Sequence, residues 1–283
     1  MRKLYLAWVL ALPGVLSAAS VTDDRGRTVE IPVPPHRVIS LSPHLTELMF
    51  AAGAGDRLAG VVAYSDYPAE AAALPVVGDA FAVDQERIAR IGPDLILAWA
   101  GGNPIRVIQH LEDAGYPVVA LAAGDLDRIG DQIELLGRIM GTDEAAMTAA
   151  ASYRSELAAL EQSGPAAGLP TFVQIAAEPL YTVGGPHLIS DLLRRCGADN
   201  IFQDISSLAV QVSYEAVLER APAMIIASVA DPSEDWRAIW ARWPELPAVR
   251  DGRLIGVPAD LISRPTPRIL QGMRRVCEAV RGR

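Results

Sequence analysis

Short runs of valine, isoleucine and leucine alternate with amphipathic stretches along the first part of this chain, and that alternation limits the fold more than any other feature. The apolar runs fall at residues 38–41, 58–62, 95–99 and 118–121, separated by stretches such as 45–52, 85–91 and 104–114. Strands that alternate with helices build a parallel sheet covered by those helices. The rhythm stops between residues 125 and 162, where no strand signal occurs. There Ile129, Ile133, Leu135, Leu136 and Ile139 fall at helical spacing, Thr142-Asp143-Glu144 predicts a helix cap, and an alanine-rich run continues to Leu160. Ser163-Gly164-Pro165 ends this segment. Gly168-Leu169-Pro170 opens a second alternating region, with strands expected at 171–175, 224–227 and 254–257.

An internal repeat sharpens the division. Residues 86–98 can be laid over 215–227 without a gap, each copy being an acid-led helix, a proline and a buried strand. Helix-proline-strand runs are common enough in α/β proteins to recur by chance. These two copies, however, fall on opposite sides of the long helical segment. Two related α/β lobes joined by a helix follow, with boundaries expected at 20–124 for the first lobe, 125–165 for the helical segment and 166–283 for the second lobe.

Residues 1–19 read as a secretory signal. Met1-Arg2-Lys3 is positive, residues 4–15 are apolar, and Ser17-Ala18-Ala19 offers small residues for cleavage near Ala19. A membrane anchor would need about 20 apolar residues, and this run is shorter and broken by Pro13 and Gly14. No cysteine lies near the cut, which argues against a lipoprotein. No later apolar run is long enough to cross a bilayer, so a soluble, exported chain is expected. Losing Arg2 and Lys3 would take the formal charge from −9 to −11. Acids already outnumber bases 34 to 25, which argues against a nucleic-acid partner.

Export bears on Cys196 and Cys277, the two cysteines of the chain. An oxidising compartment favours a disulfide between them, and closing so long a loop contributes about 3–5 kcal/mol in the chain-entropy model. The alternative is a pair of buried thiols. With no C-x-x-C and with His36, His44, His110 and His187 scattered, no metal site is expected. The chain has no G-x-S-x-G elbow, no H-E-x-x-H and no phosphate loop, and Gly53-Ala54-Gly55 lacks the third glycine of a dinucleotide turn. Ser42, His44 and Asp66 could gather as a triad, but spacing alone does not bring them together. His44 is explained more simply as a helix-start residue after Pro43, with Glu47 in a capping arrangement. No catalytic residue is therefore expected.

Three segments carry a family resemblance: Arg37-Val-Ile-Ser-Leu-Ser-Pro-His-Leu-Thr-Glu-Leu-Met-Phe-Ala-Ala-Gly, then Tyr64-Ser-Asp-Tyr-Pro, then residues 86–104. They resemble the periplasmic cobalamin-binding proteins of bacterial ABC importers. Thinner matches recur at residues 196–202, 212–215 and 267–270, so the likeness spans essentially the mature chain. The resemblance implies an α/β fold of two Rossmann-like lobes joined by a single long rigid helix, with a ligand cleft between them. It also implies a periplasmic monomer that captures cobalamin or a related corrinoid without chemistry or cofactor. Delivery would be to the permease dimer of an ABC importer, through which alone the protein meets the membrane. The wider class includes carriers of ferric siderophores and haem, which stand as the alternative ligands; an exported hydrolase is the remaining rival.

Carried onto this sequence, the resemblance nominates Tyr64 and Trp99 as pocket aromatics, both at carboxyl ends of expected strands, where α/β sheets hold ligands. By itself Trp99 would more often be a core residue; Gly101-Gly102-Asn103 after it makes a surface cleft plausible. In the second lobe Asp260 and Arg264 match a polar pair facing the ligand, and Tyr181 lies near an expected aromatic. A solvated loop ion pair is the plain alternative for Asp260 and Arg264. Two family tryptophans are replaced, one by Ala80, with Phe81 adjacent, and one by Ala209. Glu86 and Glu215, at matching positions in the repeat, are the expected carboxylates for docking on permease arginines, although either alone is also a favourable helix-start acid. Trp236, Trp240 and Trp243 share one stripe if helical, which suggests packing against the second sheet over a ligand platform.

Overall fold

The computed structural model describes residues 18–161, 168–231 and 235–282. Most of the expected signal segment and Ser163-Gly164-Pro165 lie outside the described residues. An antiparallel hairpin, β1 (Ala18–Thr22) and β2 (Thr28–Pro32), opens the fold. It leads into β3 (Val38–Ser40), α1 (Pro43–Ala51), β4 (Leu58–Val61), α2 (Gln85–Ile91), β5 (Leu95–Ala100), α3 (Ile105–Asp113) and β6 (Val118–Ala122). The four strands after the hairpin form a parallel sheet in the order β4-β3-β5-β6. Leu95, Ile96, Leu97 and Ala98 are all fully buried. Strands covered on both faces have no solvent side to make polar, which is why these segments read as unbroken apolar runs.

Two helices follow, α4 (Leu126–Met140) and α5 (Asp143–Glu161). The second lobe comprises β7 (Leu169–Gln174), β8 (Ala176–Ala177), β9 (Leu180–Val183), α6 (Leu188–Arg195), β10 (Ala198–Asn200), β11 (Ala209–Gln211), α7 (Tyr214–Glu219), β12 (Met224–Val229), α8 (Pro247–Arg250), β13 (Leu254–Pro258), α9 (Ala259–Ile262) and α10 (Ile269–Val280). Its parallel sheet runs β10-β7-β12-β13. In both sheets the first strand in chain order is flanked by the second and the third, and the fourth lies beyond the third. The two lobes therefore share one topology, and the repeated segments occupy equivalent places in it: α2 and α7 each precede the third strand of their sheet. A small antiparallel sheet, β11-β9-β8, is added to the second lobe.

The long helix between the lobes is α5, whose 19 residues span about 28 Å at 1.5 Å per residue. It is braced along its length by α4. Gly137 permits their close crossing, since a Cβ there would stand 2.2 Å from the Ala146 Cβ. Thr142 directly precedes α5, and its hydroxyl donates to the carbonyl of Ala52, just past the end of α1, at 2.6 Å. At the other end, Arg195 of α6 pairs with Asp127 of α4 at 2.7 Å and with Glu161 of α5. One apolar core passes without a break from Leu45 and Leu48 of α1, through Ile133, Leu136, Tyr153 and Leu157 of α4 and α5, to Leu192 of α6 and Met273 of α10. The outer face of each sheet has its own smaller core, around Ile39, Ile88 and Ile96 in the first and around Phe172 and Trp240 in the second.

Trp236, Trp240 and Trp243 do not lie on an α-helix. The segment is a series of turns with a short 3-10 helix at Trp240–Arg242. Trp240 is fully buried, edge-on to Phe172, and donates its Nε1–H to Gln174 Oε1 at 2.8 Å. Trp243 stacks on Tyr214. The cluster packs against the second sheet, and turns deliver it there because each ring needs its own approach to the strands.

Cys196, at the end of α6, is disulfide-bonded to Cys277 of α10, and both residues are fully buried. The double replacement Cys196→Ala/Cys277→Ala is expected to lower the free energy of unfolding by about 3–5 kcal/mol. Urea titration of the oxidised parent and the variant measures this difference; equal midpoints would show that the bond does not constrain the unfolded chain.

Candidate functional site

The carboxyl edge of the first sheet is built where β3 and β5 diverge to opposite flanking strands, the switch point at which α/β sheets open a crevice. From β3 the chain runs through Ser42 into Pro43 and His44 of α1; from β5 it runs through Trp99 into the Gly101-Gly102-Asn103 turn. Asn103, 6% exposed, holds this rim together. Its Oδ1 accepts the Trp99 amide at 2.6 Å, while its Nδ2 donates to the carbonyls of Leu41 and Ala80 at 3.0 and 2.8 Å. The indole lies directly over Gly102, where a Cβ would come within 1.9 Å of the ring. Trp99 is thus half-buried and held by its own turn.

A cavity of about 430 Å³ lies between this rim and the second lobe. Ser42, His44 and Trp99 form its first-lobe wall; His187, Leu208 and Arg264 face them from the second. His44 is buried, with Nδ1 2.6 Å from Ser42 Oγ, its ring edge-on to Trp99 at 5.3 Å, and Nε2 without a hydrogen-bond partner. Burial, with a smaller contribution from the nearby Arg264 charge, depresses its pKa to about 3. His187 accepts the Ile189 amide on Nδ1 at 3.1 Å and is lowered by burial to about 4. The expectation that Glu47 supports the start of α1 is not met. Ser42 occupies the cap position without a side-chain bond to a helix amide, and the Glu47 carboxylate is turned toward the other lobe.

That carboxylate, 3% exposed, is the centre of an ion cluster across the lobes. Arg268 meets it with two bonds, Nε to Oε2 at 2.9 Å and Nη2 to Oε1 at 2.6 Å, and Arg264 adds a third at 3.1 Å. The Glu47 bond holds the Arg268 guanidinium above its ordinary pKa, and the same group lies 3.9 Å from the centre of the Tyr67 ring. Arg264 also reaches Asp66 of the first lobe at 3.4 Å and Asp260 at 2.8 Å. Of the residues named from the sequence, Trp99 and Arg264 meet on one cavity. Asp260 joins them through Arg264, and Tyr64 stands two residues from Asp66. Asp66 is engaged by Arg264, not by His44, so no Ser-His-Asp triad is assembled.

The remaining residues are more peripheral. Tyr64 is 78% and Phe81 72% exposed, both in first-lobe loops beyond strand ends. Tyr64 has φ of +66°, the left-handed region that a bulky residue rarely adopts. Phe81 follows Ala80, whose carbonyl Asn103 holds. Tyr181 is half-buried on β9 opposite Gln211 and lines neither this cavity nor the larger one beside it. Glu86 and Glu215 are both exposed, each two residues past a capping side chain: Asp84 Oδ1 accepts the Arg87 amide at 2.9 Å, and Ser213 Oγ accepts the Ala216 amide at 3.2 Å. A backbone amide and the Ser213 hydroxyl lower the Glu215 pKa. Asn103 and Arg268 enter the reading of the sequence only as members of longer motifs, and His187 and Leu208 carry no site role in it. The available signal was Arg264 and Arg268 flanking two prolines, a spacing that places two guanidinium groups on one stiff loop.

Two like-wound α/β lobes on a rigid helical mount, with a polar and aromatic cleft between their carboxyl edges, define a substrate-binding protein. The chain belongs to the periplasmic binding protein family, whose sequence profile it matches over residues 38–261. It is 37% identical over 247 residues to the vitamin B12-binding protein of Vibrio parahaemolyticus, covering 87% of this chain and 89% of that protein. Its fold is similar to the crystal structure of the periplasmic vitamin B12-binding protein of Vibrio cholerae, with a TM-score of 0.80, 36% identity and coverage of 88% and 97%. A periplasmic haem-binding protein from Pseudomonas aeruginosa matches at a TM-score of 0.72 with 27% identity, covering 87% and 92%.

The two cavity histidines carry a pH consequence. Folded, both stay neutral; unfolded, they protonate near pH 6.5. The unfolded state therefore binds more protons in acid. Stability should be flat above about pH 7 and fall by up to about 1.4 kcal/mol per pH unit per histidine as pH drops from 6.5 toward 4. Urea titrations at pH 7, 6 and 5 should show a shallower fall for His44→Gln than for the parent. An unchanged slope would mean that His44 titrates alike in both states.

Proposed function

We propose that this protein captures cobalamin or a related corrinoid in the cleft between its lobes and hands it to the permease dimer of an ABC importer. The observation that carries the reading is the meeting of Trp99 and Arg264, from different lobes, on one cavity, in a chain 36–37% identical to vitamin B12-binding proteins across most of its length. A corrin is a broad ring fringed with amides. Trp99 offers it an aromatic face, the exposed rings of Tyr64 and Phe81 add area at the lip, and Arg264 with Asp260 supplies hydrogen bonds to the fringe. Tyr181, which lines neither cavity, stays outside this set. The protein works as a periplasmic monomer after removal of residues 1–19, with lobes at 20–124 and 166–283 on either side of the segment 125–165.

The reading involves no catalysis. The Ser42–His44 contact in the cleft is a poor engine for hydrolysis, because a histidine whose pKa is held near 3 is too weak a base to activate a hydroxyl at neutral pH. Binding to a preformed cleft costs little ordering, and the braced α5 allows only slight closure. Glu86 and Glu215 stand at equivalent helix starts, one per lobe and both exposed, as a two-fold permease would require.

Protein purified from the periplasm of cells fed cobalamin should carry a corrinoid visible spectrum and cobalt. A haem spectrum or bound iron would replace the reading with its alternative. Trp99→Ala should weaken corrinoid binding about tenfold or more, measured by titration. Charge reversal at both Glu86 and Glu215 should leave that affinity unchanged and abolish uptake; unaltered uptake in the double variant would remove the docking assignment.

A further inference from the structure

The second lobe carries a feature that its shared topology with the first makes interpretable. β5 and β12 are both six residues long, each is the third strand of its sheet, and the gap-free repeat sets them in register. Their fifth residues are Trp99 and Ser228. In the first lobe an indole occupies the switch-point crevice. In the second, where β7 and β12 diverge, the corresponding place is an open cavity of about 700 Å³. Ser228 lies on its wall, and the Ser228 hydroxyl is 3.3 Å from that of Ser263, which lines the interlobe cavity. The two spaces therefore adjoin at this serine pair.

Among apolar side chains, the lining carries polar groups of mixed sign. Gln174 lines it and has its Oε1 occupied by the Trp240 indole, which leaves its amide NH₂ as the group able to donate. Arg242 is exposed and has no ion-pair partner among the described residues. Glu178 and Asp235 contribute carboxylates. A guanidinium suits a phosphodiester, and carboxylates accept hydrogen bonds from sugar hydroxyls. A flat ring alone would leave these groups unused.

We infer that the second-lobe crevice, opened by Ser228 where the first lobe has Trp99, receives the sugar-phosphate arm of a corrinoid that carries a nucleotide. Arg242 binds the phosphate and Glu178 or Asp235 the ribose. The inference rests on the corrinoid reading above and adds a preference within that class: complete cobalamins over precursors lacking the nucleotide arm. Arg242 and Ser228 are then specificity residues that touch the arm and not the ring.

Cyanocobalamin and dicyanocobinamide, which lacks the nucleotide, separate the possibilities when titrated against the parent, Arg242→Ala and Ser228→Trp. Arg242 is exposed and has no ion-pair partner among the described residues, so its loss should not disturb folding, and Ser228→Trp refills the crevice on the pattern of the first lobe. Both variants should bind cyanocobalamin roughly tenfold or more weakly while their cobinamide affinity stays within about twofold. Equal losses for the two ligands, or no loss for either, would overturn the assignment of the arm to this crevice. Failure of the parent to bind either corrinoid would remove the corrinoid reading itself and the inference with it.

Discussion

The structure depends on one continuous apolar core that does not stop at the boundary between lobes. Because Ile133, Leu136, Tyr153 and Leu157 are buried together with side chains from both sheets' helices, the two halves cannot separate or swing widely without exposing that surface. Burial of apolar area at roughly 25 cal/mol per Å² makes such exposure expensive. The close α4–α5 crossing at Gly137 and the Arg195 ion pairs hold the brace in register. The cleft is accordingly a preformed shape.

Across the open side of that cleft the lobes meet through charge instead. Glu47 is almost wholly removed from solvent, and a buried carboxylate is tolerable only when its lone pairs are satisfied. Arg268 and Arg264 do so from the other lobe. Removing either partner would leave a desolvated charge, so the cluster acts as a geometric lock more than as a source of net stability. It also fixes Arg264 on the cavity wall, where the same side chain faces Trp99.

Much of this was legible from residue order, because parallel strands buried on both faces must be continuously apolar and the helices between them amphipathic. The gap-free repeat likewise marked two lobes of one topology. The short strands β1, β2, β8, β9, β10 and β11 were not legible, since two to five residues carry too little pattern to stand out. Nor was the role of Glu47, whose partners lie 217 and 221 residues away in the chain; local spacing offered only a cap. The tryptophans at 236, 240 and 243 fit a helical period by coincidence, and ring-by-ring packing against Phe172, Gln174 and Tyr214 determined their backbone.

The left-handed backbone at Tyr64 sets two demands against each other. A bulky side chain in that conformation costs of the order of 1–3 kcal/mol, and glycine would relieve it. Glycine here would steady the loop but remove the ring proposed for the lip of the cleft, whereas tyrosine keeps the ring at the expense of a weaker fold at this spot. On the proposed reading, local stability and contact with the ligand therefore make opposite demands on this single position.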